Sequence, residues 1–164
     1  MFFGEATCNV DSQGRLVFPK IWRKPTDNDK TVFVLSPGLD LSIDVNAHEV
    51  FMNTFNKAIE ASRDVVTQLN LTFYGSFCQE ITLDKQGRFA ISKNLLNYAQ
   101  ITNQADFVGT ITYGRIFAKE RWEKIKLNPN RQEPELTEEQ IQALTEDEKK
   151  LHNIKKAIDF ISQL

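Results

Sequence analysis

The stretch DSQGRLVFPK at residues 11–20 recurs as DKQGRFAISK at residues 84–93. The two copies start 73 residues apart and agree at their Asp, Gln, Gly, Arg and Lys positions. A second correspondence lies downstream, because Gly38 and Gly114 each separate two β-rich runs and are 76 residues apart. Two correspondences at nearly the same offset indicate an internal duplication.

Each copy predicts the same β-rich unit. A strand leads to a tight turn at the glycine, and a second strand leaves it with apolar residues alternating at Leu16 and Phe18, or at Phe89 and Ile91. A short helical turn is expected next, at about 21–24 and 94–99. A second hairpin closes each unit, with strands at 31–36 and 39–45 in the first unit, and at 107–112 and 115–118 in the second.

Helices are predicted outside these hairpins. One begins at about Asn46, which would cap it with Glu49 three residues on, and continues to about Phe73. Its apolar stripe consists of Phe51, Phe55 and Ile59. A short helical end is expected beyond Trp122.

The sequence from 129 onward forms a separate tail that follows the helix-breaking stretch 128–130. It has five basic and eight acidic residues, and Thr137 with Gln140 and Thr145 with Glu148 are capping-box signatures. A helix is expected with an apolar stripe of Leu151, Ile154, Ile158 and Ile161. That stripe is too short for a free coiled coil, so the helix should dock on the body or on a neighbouring subunit. The predicted segments are therefore 1–70, 71–128 and a helical tail at 129–164.

The repeated motif has the chemistry of a rigid anion-binding turn. Gly14 and Gly87 permit positive φ, and the carboxylates of Asp11 and Asp84 can accept backbone N–H bonds. An arginine leaving such a turn presents a planar, bidentate guanidinium that suits phosphate or a guanine edge. Residues 12–26 and 85–105 are basic and contain no acid, although the whole chain has a net charge of −2. The candidate DNA-contacting residues are Arg15, Lys20, Arg23, Lys24, Arg88 and Lys93.

A simpler interpretation exists for each motif alone. Asp-x-x-Gly is a common hairpin turn, and an arginine beside it can be solvated or can pair with the aspartate. Two copies in register, each followed by a lysine at the same distance (Lys20 and Lys93), favour a function over that simpler interpretation.

Other residues give no indication of an enzyme. His48 and His152 are far apart in the sequence, and no catalytic-triad, Walker, zinc-spacing or dinucleotide pattern occurs. Cys8 and Cys78 are expected to pack in strands, without a disulfide or a metal. No run of 18 apolar residues predicts a transmembrane helix, and the first eight residues do not have the pattern of a signal peptide. We therefore expect no cofactor, no metal, no small-molecule substrate and no membrane association.

The two motifs and their flanks resemble the MraZ family. The opening MFFGE at residues 1–5, NVDSQGRL at 9–16 with Pro19, and LDKQGRF at 83–89 are similar to the signatures of that family, and the hairpin ending near Phe117 with Trp122 also fits. The resemblance covers about residues 1–127. Phe3 stands where the family commonly has Arg, and Ser92 replaces the usual proline of the second copy.

This resemblance implies a fold of the α+β class, rich in β-structure: a duplicated AbrB-like double-split β-barrel with flanking helices and the helical tail. It implies a regulator in the cytoplasm and nucleoid that binds short direct repeats of double-stranded DNA in its own promoter, within the division and cell-wall gene cluster, as a ring-like homo-oligomer. Carried over by position, Arg15 leads, flanked by Lys20 and Arg23, and Arg88 with Lys93 forms the second set. The alternative is a protein-binding module of the antitoxin type that acts through its tail.

Overall fold

The computed structural model describes residues 1–131 and 134–164, so positions 132 and 133 of the predicted tail lie outside the described residues. Within the described ranges, eight strands form a six-stranded antiparallel sheet and a two-stranded ribbon. The strands are β1 (Glu5–Asn9), β2 (Arg15–Val17), β3 (Phe33–Pro37), β4 (Ile43–Ala47), β5 (Gln79–Ile81), β6 (Arg88–Ala90), β7 (Gln104–Gly109) and β8 (Gly114–Ala118).

Six α-helices accompany these strands in the described part of the chain, and together they make the α+β class that the sequence predicts. The helices are α1 (His48–Ala61), α2 (Val65–Phe77), α3 (Lys93–Tyr98), α4 (Lys119–Leu127), α5 (Glu138–Gln142) and α6 (Glu146–Ser162). Two short 3-10 turns occupy Lys20–Trp22 and Leu39–Leu41. No helix of the described residues is long and apolar enough to cross a membrane.

The sheet order reflects the repeated sequence. The large sheet runs β1-β7-β8-β4-β3-β5, and the ribbon joins β2 to β6. Each strand of the first repeat has an equivalent in the second: β1 and β5, β2 and β6, β3 and β7, β4 and β8. If every strand is exchanged for its equivalent, both sheets have the same strand order, read in the opposite direction. The two central strands, β4 and β8, pair with each other through Ile43 and Ile116, which are fully buried.

An aromatic cluster fills the space between the ribbon and the sheet. The Phe18 ring lies 4.8 Å from Phe33 of β3 and 5.8 Å from Phe89 of β6, measured between ring centroids. Trp22 stands edge-on to Phe107 of β7 at 5.4 Å, and its indole N–H donates to the carbonyl of Phe3 at 2.9 Å. Because Phe18, Trp22 and Phe89 are all buried, the ribbon is fastened to the core rather than projecting freely.

The single helix predicted over 46–73 is wrong. Asn46 belongs to β4, where it pairs with Val34, so α1 begins at His48 with no side-chain cap. The Ser62 hydroxyl donates to the carbonyl of Ile59 at 2.7 Å where α1 ends. The carboxylate of Asp64 then caps α2 by accepting from the backbone N–H of Thr67 at 2.8 Å, because an aspartate at this position satisfies a free helix donor.

The apolar stripe of the predicted helix is only partly buried. Phe51 stacks on Phe55, and Phe55 stacks on Tyr74 of α2 with 5.8 Å between ring centroids. Ile59 stays 50% exposed, two residues before α1 ends at Ala61.

The strand predicted over 39–45 is also corrected. Residues 39–41 form a 3-10 turn in which Asp40 and Leu41 have positive φ values of 58° and 57°, and the strand begins only at Ile43. Similarly, the helix near Trp122 starts earlier than predicted, since α4 begins at Lys119. The helical turns expected at 21–24 and 94–99 are present and each begins one residue earlier, at Lys20–Trp22 and Lys93–Tyr98.

The tail docks on the body of the chain. Both predicted capping boxes are present, at Thr137 with Gln140 and at Thr145 with Glu148. Helix α6 packs against α2 and also contacts α1. Ile154 is fully buried in this packing, whereas Leu151, at the start of the predicted stripe, remains 36% exposed.

Candidate nucleic-acid interface

The first motif forms a tight turn that is closed by its own aspartate. The carboxylate of Asp11 accepts the backbone N–H groups of Gln13 and Arg15, both at 2.9 Å. The second carboxylate oxygen accepts from Nε of Arg15 at 2.7 Å. Gly14 has φ +74° and donates its N–H to the Asp11 carbonyl, which is the conformation that requires glycine.

The second motif has the same geometry. Asp84 accepts from the backbone of Gln86 and Arg88 at 2.9 Å each, and from Nε of Arg88 at 2.9 Å. Gly87 has φ +74°, as Gly14 does. Backbone N–H donation from the arginine, followed in strength by its guanidinium, lowers the pKa of Asp11. The pKa of Asp84 is lowered in the same way, so both turn carboxylates are ionised and hold their arginines at neutral pH.

The two motifs meet in one ribbon. In the antiparallel pairing of β2 and β6, Leu16 lies opposite Phe89, Arg15 opposite Ala90 and Val17 opposite Arg88. The ends of this pairing reach into the turns, because Phe18 donates its N–H to the Gly87 carbonyl at 2.8 Å and Ile91 donates to the Gly14 carbonyl at 3.0 Å. Each turn is therefore bonded to the strand that follows the other turn.

One face of this ribbon points away from the core. Side chains alternate along a strand, and the buried Leu16 and Phe89 define the inner face. The outer face, named the ribbon face below, consists of Arg15, Val17, Arg88 and Ala90. Arg15 and Arg88 are diagonal neighbours in this register, which places them about 7–8 Å apart. The sequence could not show that the two arginines share a single surface.

The structure bears on the simpler interpretation of the motif, since both arginines do pair with their aspartates. Both pairs use Nε, and their side chains remain 36% and 35% exposed for Arg15 and Arg88. A guanidinium carries five N–H donors, and among the described residues the hydrogen bonds of these two side chains use only Nε. The aspartate thus orients the arginine from one edge and leaves the Nη groups for a partner.

The remaining predicted residues surround the ribbon. Lys20 lies in the 3-10 turn after β2, Lys93 occupies the equivalent place at the start of α3, and both side chains are exposed. Lys24 is exposed one residue beyond Arg23. Arg23 crosses to the other repeat, where its guanidinium lies against Gly87. The roles of all six basic residues in contacting DNA stay predictions.

No sequence pattern directly predicts the crossing by Arg23. The repeat offset offered a hint, because position 23 corresponds to position 96, where the second repeat has Leu96. Comparing these flanking positions, and not only the ten-residue motif, would have shown that the repeats differ in charge there.

The cysteines and histidines lie apart from one another. Burial raises the pKa of the Cys78 thiol to about 12, so it is not a thiolate nucleophile at neutral pH. The Cys8 sulfur accepts the N–H of Val17 at 3.4 Å, which ties β1 to the ribbon. His48 contacts Glu80 of β5, and His152 lies on α6. Within the described ranges, no group of three His, Cys, Asp or Glu residues could hold a metal ion.

Sequence comparison with known proteins identifies the family of this chain. The chain is 31% identical over 127 residues to the transcriptional regulator MraZ of Clostridium tetani, an alignment that covers 76% of this chain and 86% of that protein. The chain belongs to the MraZ family. The MraZ regulators of Finegoldia magna (32% over 127 residues, 76% and 85% covered) and Caldicellulosiruptor bescii (32% over 133 residues, 79% and 90% covered) are also similar.

The family model itself, described as "MraZ protein, putative antitoxin-like", matches residues 77–144. This range begins at the end of α2 and includes the second motif and the first part of the tail. The MraZ relatives are named as regulators and not as enzymes, which fits the expectation of a non-enzymatic protein.

Proposed function

We propose that this MraZ family member is a sequence-specific DNA-binding transcriptional regulator whose ribbon face enters the major groove. The observation that carries the proposal is the pairing of β2 with β6, which presents Arg15 and Arg88 side by side on a rigid surface. The major groove is wide enough for a two-stranded β-ribbon, and arginine with guanine is its commonest specific contact.

Charge and rigidity support this assignment. The aspartates hold both guanidinium groups in place before binding, which lowers the entropy lost when a complex forms. Lys20 and Lys93 occupy equivalent exposed positions beside the ribbon, where they suit phosphate contacts that set the position of the protein on DNA. Val17, which is 50% exposed on the same face, can contact a thymine methyl group.

We also propose the finer features that the family resemblance implies. The segments 1–70 and 71–128 are the halves of a duplicated AbrB-like barrel, and 129–164 is the tail. The protein acts at the nucleoid as a ring-like homo-oligomer that binds direct repeats in its own promoter, and its targets lie in the division and cell-wall gene cluster. A ring that presents several ribbons to spaced repeats gains avidity, which compensates for the small surface of each ribbon.

The packing of the tail favours this function over the antitoxin-like alternative. The buried face of α6 is already covered by α2, with Ile154 and Ala157 fully buried. A partner protein that used this apolar stripe would first have to displace the helix from the body.

The test is a gel-shift titration with the DNA upstream of the protein's own gene. Arg15→Ala and Arg88→Ala should each reduce affinity by about 5- to 150-fold, which corresponds to about 1–3 kcal/mol for a good arginine–base pair. The same substitutions should have a smaller effect on unrelated DNA. Arg63→Ala is the matched control, because Arg63 is exposed on the loop between α1 and α2 and should not affect binding.

Circular dichroism should show that all three variants are folded, since the substituted side chains lie outside the core. Unchanged affinity in both Arg15→Ala and Arg88→Ala would overturn the proposal that the ribbon face reads DNA. Light scattering that detects only monomers at micromolar concentrations would overturn the ring.

A further inference from the structure

We propose that Arg23 of the first repeat completes a phosphate-binding site at the second motif turn, together with Lys85. The site would take a phosphodiester group of DNA. It rests on the proposed function, because it assigns a DNA-backbone contact to that same surface. It changes the role expected for Arg23, which by sequence position flanks Arg15.

The position of Arg23 is defined by its contact with Gly87. A Cβ atom built on Gly87 would lie 3.2 Å from Nη1, 3.4 Å from Cζ and 3.5 Å from Nη2 of Arg23. These nearly equal distances mean that the flat guanidinium, and not one tip of it, covers the turn. A Cβ atom at position 87 would require the Arg23 guanidinium to move by a few tenths of an ångström, and it would also strain a backbone with φ +74°.

The first turn has a different cover. A Cβ atom on Gly14 would lie 3.2 Å from Cδ1 of Leu96, which is the counterpart of Arg23 at the repeat offset of 73 residues. The two repeats therefore place equivalent side chains over each other's turns. One turn receives an apolar side chain, whereas the other receives a cation.

This exchange makes the second turn the more cationic of the two. The first turn has Arg15 paired with Asp11 and a neutral Ser12. The second turn has Arg88 paired with Asp84, and also Lys85 and the guanidinium of Arg23. By sequence position alone, Arg23 would instead belong to the flank of the first motif.

Arg23 is available for an anion. Within residues 1–131 and 134–164, the ion pairs of 4.0 Å or less do not include Arg23, unlike Arg15 and Arg88. Its guanidinium lies against Gly87, one residue before β6 begins, so it stands at the end of the ribbon face. A planar guanidinium over a turn that also carries Lys85 suits the oxygens of one phosphate.

The experiment measures DNA affinity as a function of salt for the wild type, Arg23→Leu and Arg23→Lys. Arg23→Leu copies the residue that the first turn has. The log of the affinity falls as the log of the salt concentration rises, and loss of one phosphate contact should make this slope less steep by about 0.9. This change corresponds to about eightfold weaker binding at about 0.1 M salt. The loss should be equal for the upstream DNA and for unrelated DNA, because a phosphate contact does not read sequence.

Two comparisons separate a charge contact from a structural effect. Arg23→Lys keeps the charge and should retain the wild-type slope, whereas a purely structural role would impair both variants equally. Arg63→Leu removes the same charge from the loop between α1 and α2 and should leave the slope unchanged.

The outcomes distinguish this inference from the proposed function. Equal salt slopes for the wild type and Arg23→Leu would overturn the inference alone. A wild-type protein that binds both DNAs equally well would overturn sequence-specific regulation. In that case, a less steep salt dependence in Arg23→Leu would still support the phosphate site. A loss confined to the upstream DNA would overturn the phosphate assignment, since it would indicate a base contact.

Discussion

Replacement of Asp44 by Asn should remove a loss of stability that the protein undergoes as the pH rises. Asp44 lies on β4, opposite Arg115 of β8, and its carboxylate accepts from Nε of Arg115 at 3.2 Å. Only 20% of the Asp44 side chain is exposed. Burial raises the pKa of Asp44 from its ordinary value of 3.8 to about 6, although the charge and hydrogen bond of Arg115 oppose this rise.

The sign of the effect follows from proton binding. Between pH 3.8 and about 6 the folded protein holds the Asp44 proton more firmly than the unfolded chain does, so the free energy of unfolding falls as the pH rises through this window. At about 1.4 kcal/mol for each pKa unit, the rise corresponds to about 3 kcal/mol. The wild type should therefore lose about 3 kcal/mol relative to Asp44→Asn between about pH 3 and pH 8.

The assay is urea unfolding of the wild type and Asp44→Asn across this pH range at one fixed protein concentration, with the difference in unfolding free energy plotted against pH. Asp64→Asn is a control of opposite sign. Hydrogen bonds, led by the backbone N–H of Thr67, lower the pKa of Asp64, so the wild type should gain stability relative to Asp64→Asn as the pH rises. The unfolding free energy of the wild type minus that of Asp44→Asn should fall as the pH rises. If this difference stays constant or increases with pH, the account of Asp44 burial is refuted.

Two further substitutions test the packing. Ile154→Ala should lower the unfolding free energy by about 2–4 kcal/mol in urea titrations, because Ile154 is fully buried where α6 docks. Leu151 is 36% exposed, so Leu151→Ala should lower the unfolding free energy by less. Equal losses for the two variants would contradict the docking of α6. Gly114→Ala should lower the melting temperature, since its Cβ would lie 2.5 Å from the ring of Trp22, at a cost of about 1–3 kcal/mol. Gly75→Ala is the control inside α2, where the nearest atom is at 3.6 Å, and it should be neutral or stabilising by up to about 1 kcal/mol; similar losses in both glycine variants would argue against the close fit at Trp22.

Local features of the fold were predictable because local chemistry determines them. Gly14 and Gly87 are both at φ +74°, as the tight turns require. The capping boxes at Thr137 and Thr145 form as predicted, because their hydrogen bonds join residues three apart. The prediction of one continuous helix through residue 62 was wrong, because no glycine or proline in the sequence indicates the break. The hydroxyl of Ser62 and the cap by Asp64 are the local contacts at that break.

The sequence pattern could not predict the contacts between the two repeats. Alternation showed that Leu16 and Phe89 face inward, but it does not identify which strand pairs with which. The pairing of β2 with β6 joins residues more than 70 positions apart, and it alone places Arg15 beside Arg88. The crossing of Arg23 to Gly87 depends on the same pairing, so its charge lies at the second turn although Arg23 follows the first motif in the sequence.

The reciprocal pairing also explains why the ribbon face needs both repeats. Each ribbon strand is only three residues long, and an isolated two-stranded ribbon is marginally stable at best in water. Here the strand after each turn is bonded to the other turn, through the carbonyls of Gly14 and Gly87, and the inner face is held by the aromatic core. A single repeat would supply one strand and one arginine without the partner strand that holds them. We infer that the two halves of this MraZ family member form one DNA-binding unit, so the duplication produces a single rigid surface rather than two independent binding loops.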